Sequence, residues 1–207
     1  MTVFTPISIA ARLTPSEDVF MEHLRGHWES VQHGLEVVTE TFVQFSKACL
    51  DRGASGLFYA TTSWATRDRM TEEEYARFAR PYDLKLLDAL PACEFNLLHV
   101  CRDNNMLSAL HDYPVHGFNW DARSGSNPSL AEGKDLLGGR VVIGGLDTGA
   151  ELMDSTPQQL AGEVRGTRLA MGTRGWMFGG GCTFQPETPE ANIHAVREAA
   201  GKAYGLD

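Results

Sequence analysis

Short apolar runs alternate with helix-like patterns along the whole chain, and this alternation restricts the fold more than any other feature. The longest helical pattern covers Trp28–Asp51, where apolar residues recur at helical spacing and Gly53 follows as a stop signal. Strands that alternate with helices imply a parallel sheet built from right-handed βαβ units. Six strands are predicted: Thr2–Phe4, Ser55–Ala60, Phe95–Val100, Gly117–Trp120, Val141–Gly145 and Gly175–Phe178.

Local signals mark where several helices begin. Thr71 is followed by Glu74 at capping-box spacing, which predicts a helix that Pro81 should then interrupt. Thr188-Pro189 predicts the start of the last helix, with Thr as the cap and Pro at the first helical position. Pro6–Leu13, directly after the first strand, is predicted to be a turn.

The predicted fold class is α/β, of the (β/α)8 TIM-barrel type. A doubly wound sheet usually has a glycine-rich phosphate loop after its first strand, and this sequence has none there. Polar residues instead follow the carboxyl ends of several strands, as in barrels. Eight units typically need about 250 residues, so a chain of 207 residues predicts an incomplete barrel of about six units that forms one domain, 1–207.

Charge and composition exclude several classes of partner. The 27 acidic and 18 basic residues give a net charge of −9, which repels nucleic acids and anionic membranes. No apolar run approaches the roughly 18 residues that span a bilayer. Met1–Leu13 does not read as a signal peptide. We therefore expect a cytoplasmic protein whose four cysteines stay reduced.

A metal site is the sharpest chemical hypothesis. His99 and Cys101 are two residues apart at the end of a predicted strand, so they point to the same side, and imidazole with thiolate suits zinc. Cys182 follows three glycines after the last strand, at the same predicted rim. The alternatives are a hydrogen-bonded core histidine beside a buried cysteine, and a glycine-rich turn with an incidental thiol. Cys49 and Cys93 are predicted to be structural.

Two carboxylates follow other strands of the predicted rim. Asp121 shares a face with Asn119 and could complete a tetrahedral metal site, or it could cap the following segment. Asp147, in Gly144-Gly145-Leu146-Asp147, is either a substrate contact or an acid that organises its loop. Both are candidate catalytic residues.

Longer segments resemble a known family over essentially the whole chain. They are Phe4-Thr5-Pro6, Gly53-Ala54-Ser55-Gly56-Leu57-Phe58, Phe78-Ala79-Arg80-Pro81-Tyr82, Asn96-Leu97-Leu98-His99-Val100-Cys101, Gly144-Gly145-Leu146-Asp147 and Gly181-Cys182 with Pro186, Thr188-Pro189-Glu190 and Asn192. With these segments the chain resembles the uroporphyrinogen decarboxylase superfamily. Its (β/α)8 barrels include the decarboxylase and zinc-dependent methyltransferases that move a methyl group from methylcobamide to a thiol such as coenzyme M.

The resemblance implies a zinc-dependent corrinoid:thiol methyltransferase. His99, Cys101 and Cys182 match that group's zinc signature, whereas decarboxylases commonly carry a histidine where Cys182 stands here. The implied partners are a small thiol and a methylcorrinoid on a separate protein. Two alternatives stay open: a metal-free uroporphyrinogen decarboxylase of porphyrin biosynthesis, and a non-catalytic partial barrel or subunit of a split enzyme. The family's first strands have no counterpart here, so we expect self-association or a partner that covers the open sheet edge.

Overall fold

Six strands and nine α-helices alternate in the computed structural model, which describes residues 1–204. The strands form a six-stranded sheet in chain order, β1 to β6. The chain is therefore an α/β protein with a parallel sheet, as predicted. In chain order the elements are β1 (Thr2–Phe4), α1 (Pro6–Arg12), α2 (Glu17–Gly26), α3 (Trp28–Asp51), β2 (Phe58–Ala60), α4 (Glu72–Phe78), α5 (Arg80–Asp88), β3 (Leu97–Val100), a 3₁₀ turn (Leu107–Leu110), β4 (Gly117–Trp120), α6 (Leu130–Leu136), β5 (Val141–Leu146), α7 (Ala150–Asp154), α8 (Pro157–Met171), β6 (Trp176–Gly180) and α9 (Glu190–Tyr204).

The first of two compact units covers Met1–His116 and contains β1, β2 and β3. These strands pair in parallel, with Tyr59 opposite both Val3 and Leu98. Helix α3 packs against α1, α2 and α5. Its buried face consists of Leu35, Thr39, Val43 and Ser46, whereas Val37 and Phe45, which are also apolar, are exposed.

The second unit begins at Gly117 and contains β4, β5 and β6, again paired in parallel. Helices α8 and α9 pack against each other, and α6 packs against β5. Leu146, Leu152 and Leu160 form a buried cluster against which Phe178 and Val196 pack. Burial of these side chains supplies the hydrophobic free energy that holds the helices on the sheet.

The predicted helix starts are largely confirmed. The Thr71 hydroxyl accepts from the Glu74 amide, and the Glu74 carboxylate accepts from the Thr71 amide, so the capping box is complete. The helix then breaks at Ala79, and Pro81 lies in the first turn of the following helix, α5. The last helix begins at Glu190, one residue later than predicted.

The predicted turn at Pro6–Leu13 is wrong, because Pro6–Arg12 is a helix. Pro6 lies at the start of this helix, where the fixed φ of proline favours helical backbone and its missing N–H costs nothing. Ile7 and Ala11 lie on one face and are buried, which stabilises a helix of only two turns. Among the described residues, no helix has both the length and the hydrophobicity needed to cross a membrane.

Candidate metal centre

The first pair of candidate ligands lies at the carboxyl end of β3. His99 is the third residue of this strand and is buried, whereas Cys101 follows the strand directly and is half-buried. The His99 ring stacks on the Phe58 ring of β2, with 5.3 Å between ring centroids and 25° between ring planes. This stacking and the parallel pairing of Ala60 with His99 fix the position of the imidazole.

The chain changes direction sharply after this pair. Arg102 has a φ of 75° and Asn104 a φ of 48°, and Thr62, which follows β2, has a φ of 49°. Residues other than glycine rarely adopt such positive φ values, and such strain is concentrated at functional sites. The loops after β2 and β3 therefore have unusual backbone conformations beside the candidate ligands.

The third candidate ligand, Cys182, follows the glycines that end β6. The Gly181 amide donates to the Leu146 carbonyl at 3.0 Å. A Cβ atom on Gly181 would lie 2.7 Å from the Cα atom of Asp121, a distance that real Cβ atoms essentially never show. Only glycine permits this approach, so the glycines bring the segment before Cys182 against the segment at Asp121.

Asn119 of β4 connects the three strands of the second unit. Its buried side-chain amide donates to the Ile143 carbonyl of β5 and to the Gly180 carbonyl of β6, both at 2.9 Å. Gly180 lies two residues before Cys182. Asn119 therefore fixes the end of β6 from which the candidate ligand extends.

The two predicted carboxylates accept hydrogen bonds from their own loops. Asp121 Oδ1 accepts from the backbone amides of Arg123 (3.0 Å) and Ser124 (3.3 Å). Asp147 Oδ1 accepts from the Gly149 amide at 2.7 Å, immediately before α7. Both carboxylates therefore organise their own loops, and a catalytic role for either remains a proposal.

His99, Cys101 and Cys182 are a candidate metal-binding group. One imidazole nitrogen and two thiolate sulfurs are ligands that zinc prefers, and catalytic zinc sites typically have three protein ligands. The donor set is therefore compatible with zinc.

Sequence reasoning missed a buried polar cluster in the first unit. The carboxylate of Asp83 accepts hydrogen bonds from the hydroxyls of Tyr59 and Tyr75 at 2.9 Å and of Tyr113 at 2.8 Å. Burial raises the pKa of Asp83 to about 6, although the three tyrosine hydrogen bonds act in the opposite direction. No local motif could have revealed this cluster, because Tyr59 and Tyr113 lie 24 and 30 residues from Asp83.

Several solved structures are similar to this chain. A methyltransferase from Methanosarcina mazei matches 98% of the chain at 20% identity with a TM-score of 0.81. A putative vitamin-B12 independent methionine synthase from Listeria monocytogenes matches 100% at 16% identity with a TM-score of 0.56. The chain spans only 58% and 63% of their lengths. At these identities the likeness shows the fold, which is of the partial TIM-barrel type predicted from the sequence.

A family assignment follows from the sequence itself. Comparison with curated proteins gave no match. The sequence profile of the uroporphyrinogen decarboxylase (URO-D) family, in contrast, matches residues 2–203, nearly the whole chain. The resemblance noted from individual segments is thereby confirmed, and the chain belongs to the uroporphyrinogen decarboxylase family.

Proposed function

We propose that this protein is a zinc-dependent methyltransferase that moves a methyl group from a methylcorrinoid, carried by a separate protein, to a small thiol. The observation that carries the proposal is the donor set of His99, Cys101 and Cys182. Similarity in fold to a methyltransferase from Methanosarcina mazei supports it. Cys182 supports it further, because decarboxylases of the family commonly have a histidine at this position.

In the proposed site, one histidine and two cysteines hold the metal and leave a fourth position for the substrate. Bound zinc supplies the positive charge that lowers the pKa of a coordinated thiol and so favours the thiolate at neutral pH. In the transfer a sulfur–carbon bond forms and the cobalt–carbon bond breaks, and the cobalt of the corrinoid keeps the electron pair. The buried position of His99 keeps bulk water from its ring.

The carboxylates have separate proposed roles. Asp121, whose carboxylate accepts from two backbone amides of its own loop, would supply an oxygen to the fourth position until a thiol arrives. Asp147 orders the loop between β5 and α7 by accepting from the Gly149 amide, and this loop would border the substrate.

The first test is the zinc content of the protein purified without chelator. We expect about one zinc per chain, since three nitrogen and sulfur ligands suffice for a catalytic site. Cys101→Ser and Cys182→Ser should each lose most of the metal. Cys49→Ser and Cys93→Ser are matched controls that should retain it, because neither residue belongs to the donor set. Equal zinc contents in all four variants would contradict the proposal.

The same zinc-loaded sample then distinguishes methyl transfer from decarboxylation. Addition of a substrate thiol should exchange an oxygen ligand for sulfur, seen by X-ray absorption as one additional Zn–S contact near 2.3 Å. Thiol binding should also release a proton, because the thiolate is the form that coordinates. A protein that leaves its zinc unchanged with several thiols, and converts uroporphyrinogen without metal, would be a decarboxylase instead.

A further inference from the structure

We infer that Thr61 is a positioning residue that fixes the backbone of two proposed zinc ligands, His99 and Cys101. The inference rests on the proposed function only for the identity of the metal. The hydrogen bonds that carry it lie entirely within the first unit and involve no metal.

Thr61 contacts the ligand segment at both ends through one side chain. It directly follows β2, it is fully buried, and its amide donates to the His99 carbonyl at 3.0 Å. Its hydroxyl donates to the same carbonyl at 3.3 Å and accepts from the Cys101 amide at 3.4 Å. A threonine hydroxyl has one donor and two acceptor sites, so it can make both contacts at once.

This bridge lies where the regular pairing of β2 with β3 ends. The last paired residues are Ala60 and His99. Beyond them, the side chain of Thr61 provides a contact to the Cys101 amide. The next residue, Arg102, has a φ of 75°, a conformation that persists only where neighbouring contacts enforce it. Thr61 therefore supports the backbone at the point where the strand turns into the ligand loop.

Thr61 is itself held from the opposite side. The Ser8 hydroxyl of α1 donates to the Thr61 carbonyl at 3.0 Å and lies 2.6 Å from the Thr5 hydroxyl. Thr62 donates to the same Ser8 hydroxyl at 2.8 Å. A chain of hydroxyl groups thus connects the start of α1 through Thr61 to the ligand segment, and a network of this kind can rigidify a site.

The decisive variant is Thr61→Val, which keeps the shape of the side chain and removes the hydroxyl. Substitution of a residue that holds a metal ligand in place typically weakens metal binding by about 10–100-fold. Because the two hydroxyl contacts are long, we expect zinc to bind about tenfold more weakly, at the low end of this range. In the metal-free protein, the Cys101 amide should exchange its hydrogen faster. Thr61→Ser keeps the hydroxyl and should restore both properties.

Thr39→Val is the matched control. Thr39 is also a fully buried threonine of the first unit, and its hydroxyl donates to the Leu35 carbonyl within α3 at 2.6 Å. Loss of this bond should lower the free energy of unfolding by about 1 kcal/mol. It should leave zinc affinity and Cys101 exchange unchanged, since it touches neither ligand.

Zinc affinity is measured by chelator competition, and exchange of the Cys101 amide is measured by NMR. The two measurements test the role of Thr61 independently. The inference would be overturned if Thr61→Val had the same amide exchange rate and zinc affinity as the wild type. It would also be overturned if Thr39→Val changed both properties as much as Thr61→Val does. If the wild-type protein binds no zinc, the proposed function fails, and the exchange rate of the Cys101 amide alone then decides the role of Thr61. Thr61→Ala replaces the valine variant if the latter does not fold.

Discussion

Both units hold their candidate ligand segments with polar contacts, but the second unit also depends on glycines. In the first unit, hydrogen bonds from Thr61 and stacking on Phe58 hold the segment from His99 to Cys101. In the second unit, Cys182 follows glycines whose missing side chains let the backbone approach Asp121. A ligand can thus be fixed by added polar groups or by the absence of side chains. Substitutions should therefore disturb the two segments for different physical reasons.

The largest effect is expected from a substitution at Asn119, whose side chain donates to the Gly180 carbonyl just before Cys182. Asn119→Asp would turn an oxygen toward the carbonyls of Ile143 and Gly180, which now accept hydrogen bonds. A buried charge facing these acceptors should lower the free energy of unfolding by roughly 3–5 kcal/mol, measured by urea denaturation. Zinc affinity should fall as well, because Gly180 leads directly to Cys182.

Asn192→Asp is the control for this prediction. Asn192 is equally buried, and its amide also donates to two backbone carbonyls at 2.9 Å, those of Leu152 and Ser155. Its replacement should cost similar stability without weakening zinc binding. If both variants weaken zinc binding to the same extent, Asn119 has no special role in placing Cys182.

The next largest effect concerns pH and the first unit. Among the described residues, Asp83 is the one acidic side chain that is buried. The buried polar side chains of the second unit are threonines and asparagines, which are neutral. The pKa of Asp83 is raised from 3.8 to about 6 by burial, so the folded state binds a proton more tightly than the unfolded state. The stabilisation from this proton is present below pH 3.8 and is lost as the pH rises through about 6.

Asp83→Asn isolates this contribution. The free energy of unfolding of the wild type, minus that of the variant, should decrease by about 3 kcal/mol between pH 3.5 and 7. The variant is the reference for the wild type, because all other titrating groups are common to both proteins. A difference that stays constant over this range, or increases with pH, would show that Asp83 does not titrate as expected.

The smallest effect is expected for the glycine packing. Gly181→Ala places a Cβ atom against the Asp121 backbone and should cost about 1–3 kcal/mol, with weaker zinc binding. Gly162→Ala, in α8, meets no atom within 4 Å and should instead stabilise the helix by up to about 1 kcal/mol. In thermal denaturation, a lower melting temperature for Gly181→Ala and a higher one for Gly162→Ala would support close packing at Gly181. Changes of the same sign in both variants would contradict it.

Sequence patterns predicted the elements of the fold because their signals are local. The capping box at Thr71 and the helix over Trp28–Asp51 each depend on one segment, and both are confirmed. The buried face of that helix differs from the apolar pattern, since it includes Thr39 and Ser46 while Phe45 is exposed. The helix at Pro6–Arg12 was missed because seven residues are too few to establish a periodic pattern. Thr5-Pro6 was the available signal, since proline is favoured at the first position of a helix.

The candidate site could be predicted only as a set of residue types. His99, Cys101 and Cys182 stand out because few residues bind zinc, whereas threonine and tyrosine occur everywhere in proteins. The supporting role of Thr61 depends on a partner 40 residues away. The separate buried cluster around Asp83 depends on three tyrosines that lie 8, 24 and 30 residues from it. Such pairings are set by the tertiary fold, and no spacing along the chain indicates them.

The order of the strands has a consequence for how the chain folds during synthesis. Within each unit, every strand after the first pairs with the strand that precedes it in sequence. In the first unit β2 pairs with β1 and β3 with β2, and in the second unit β5 pairs with β4 and β6 with β5. No strand has to insert between two neighbours that are already paired. A nascent chain can therefore extend the paired strands of each unit at a free edge, strand by strand, as the residues leave the ribosome. Each strand then closes a loop only to its nearest predecessor in sequence, which keeps the entropy cost of each pairing step lower than a longer crossover would.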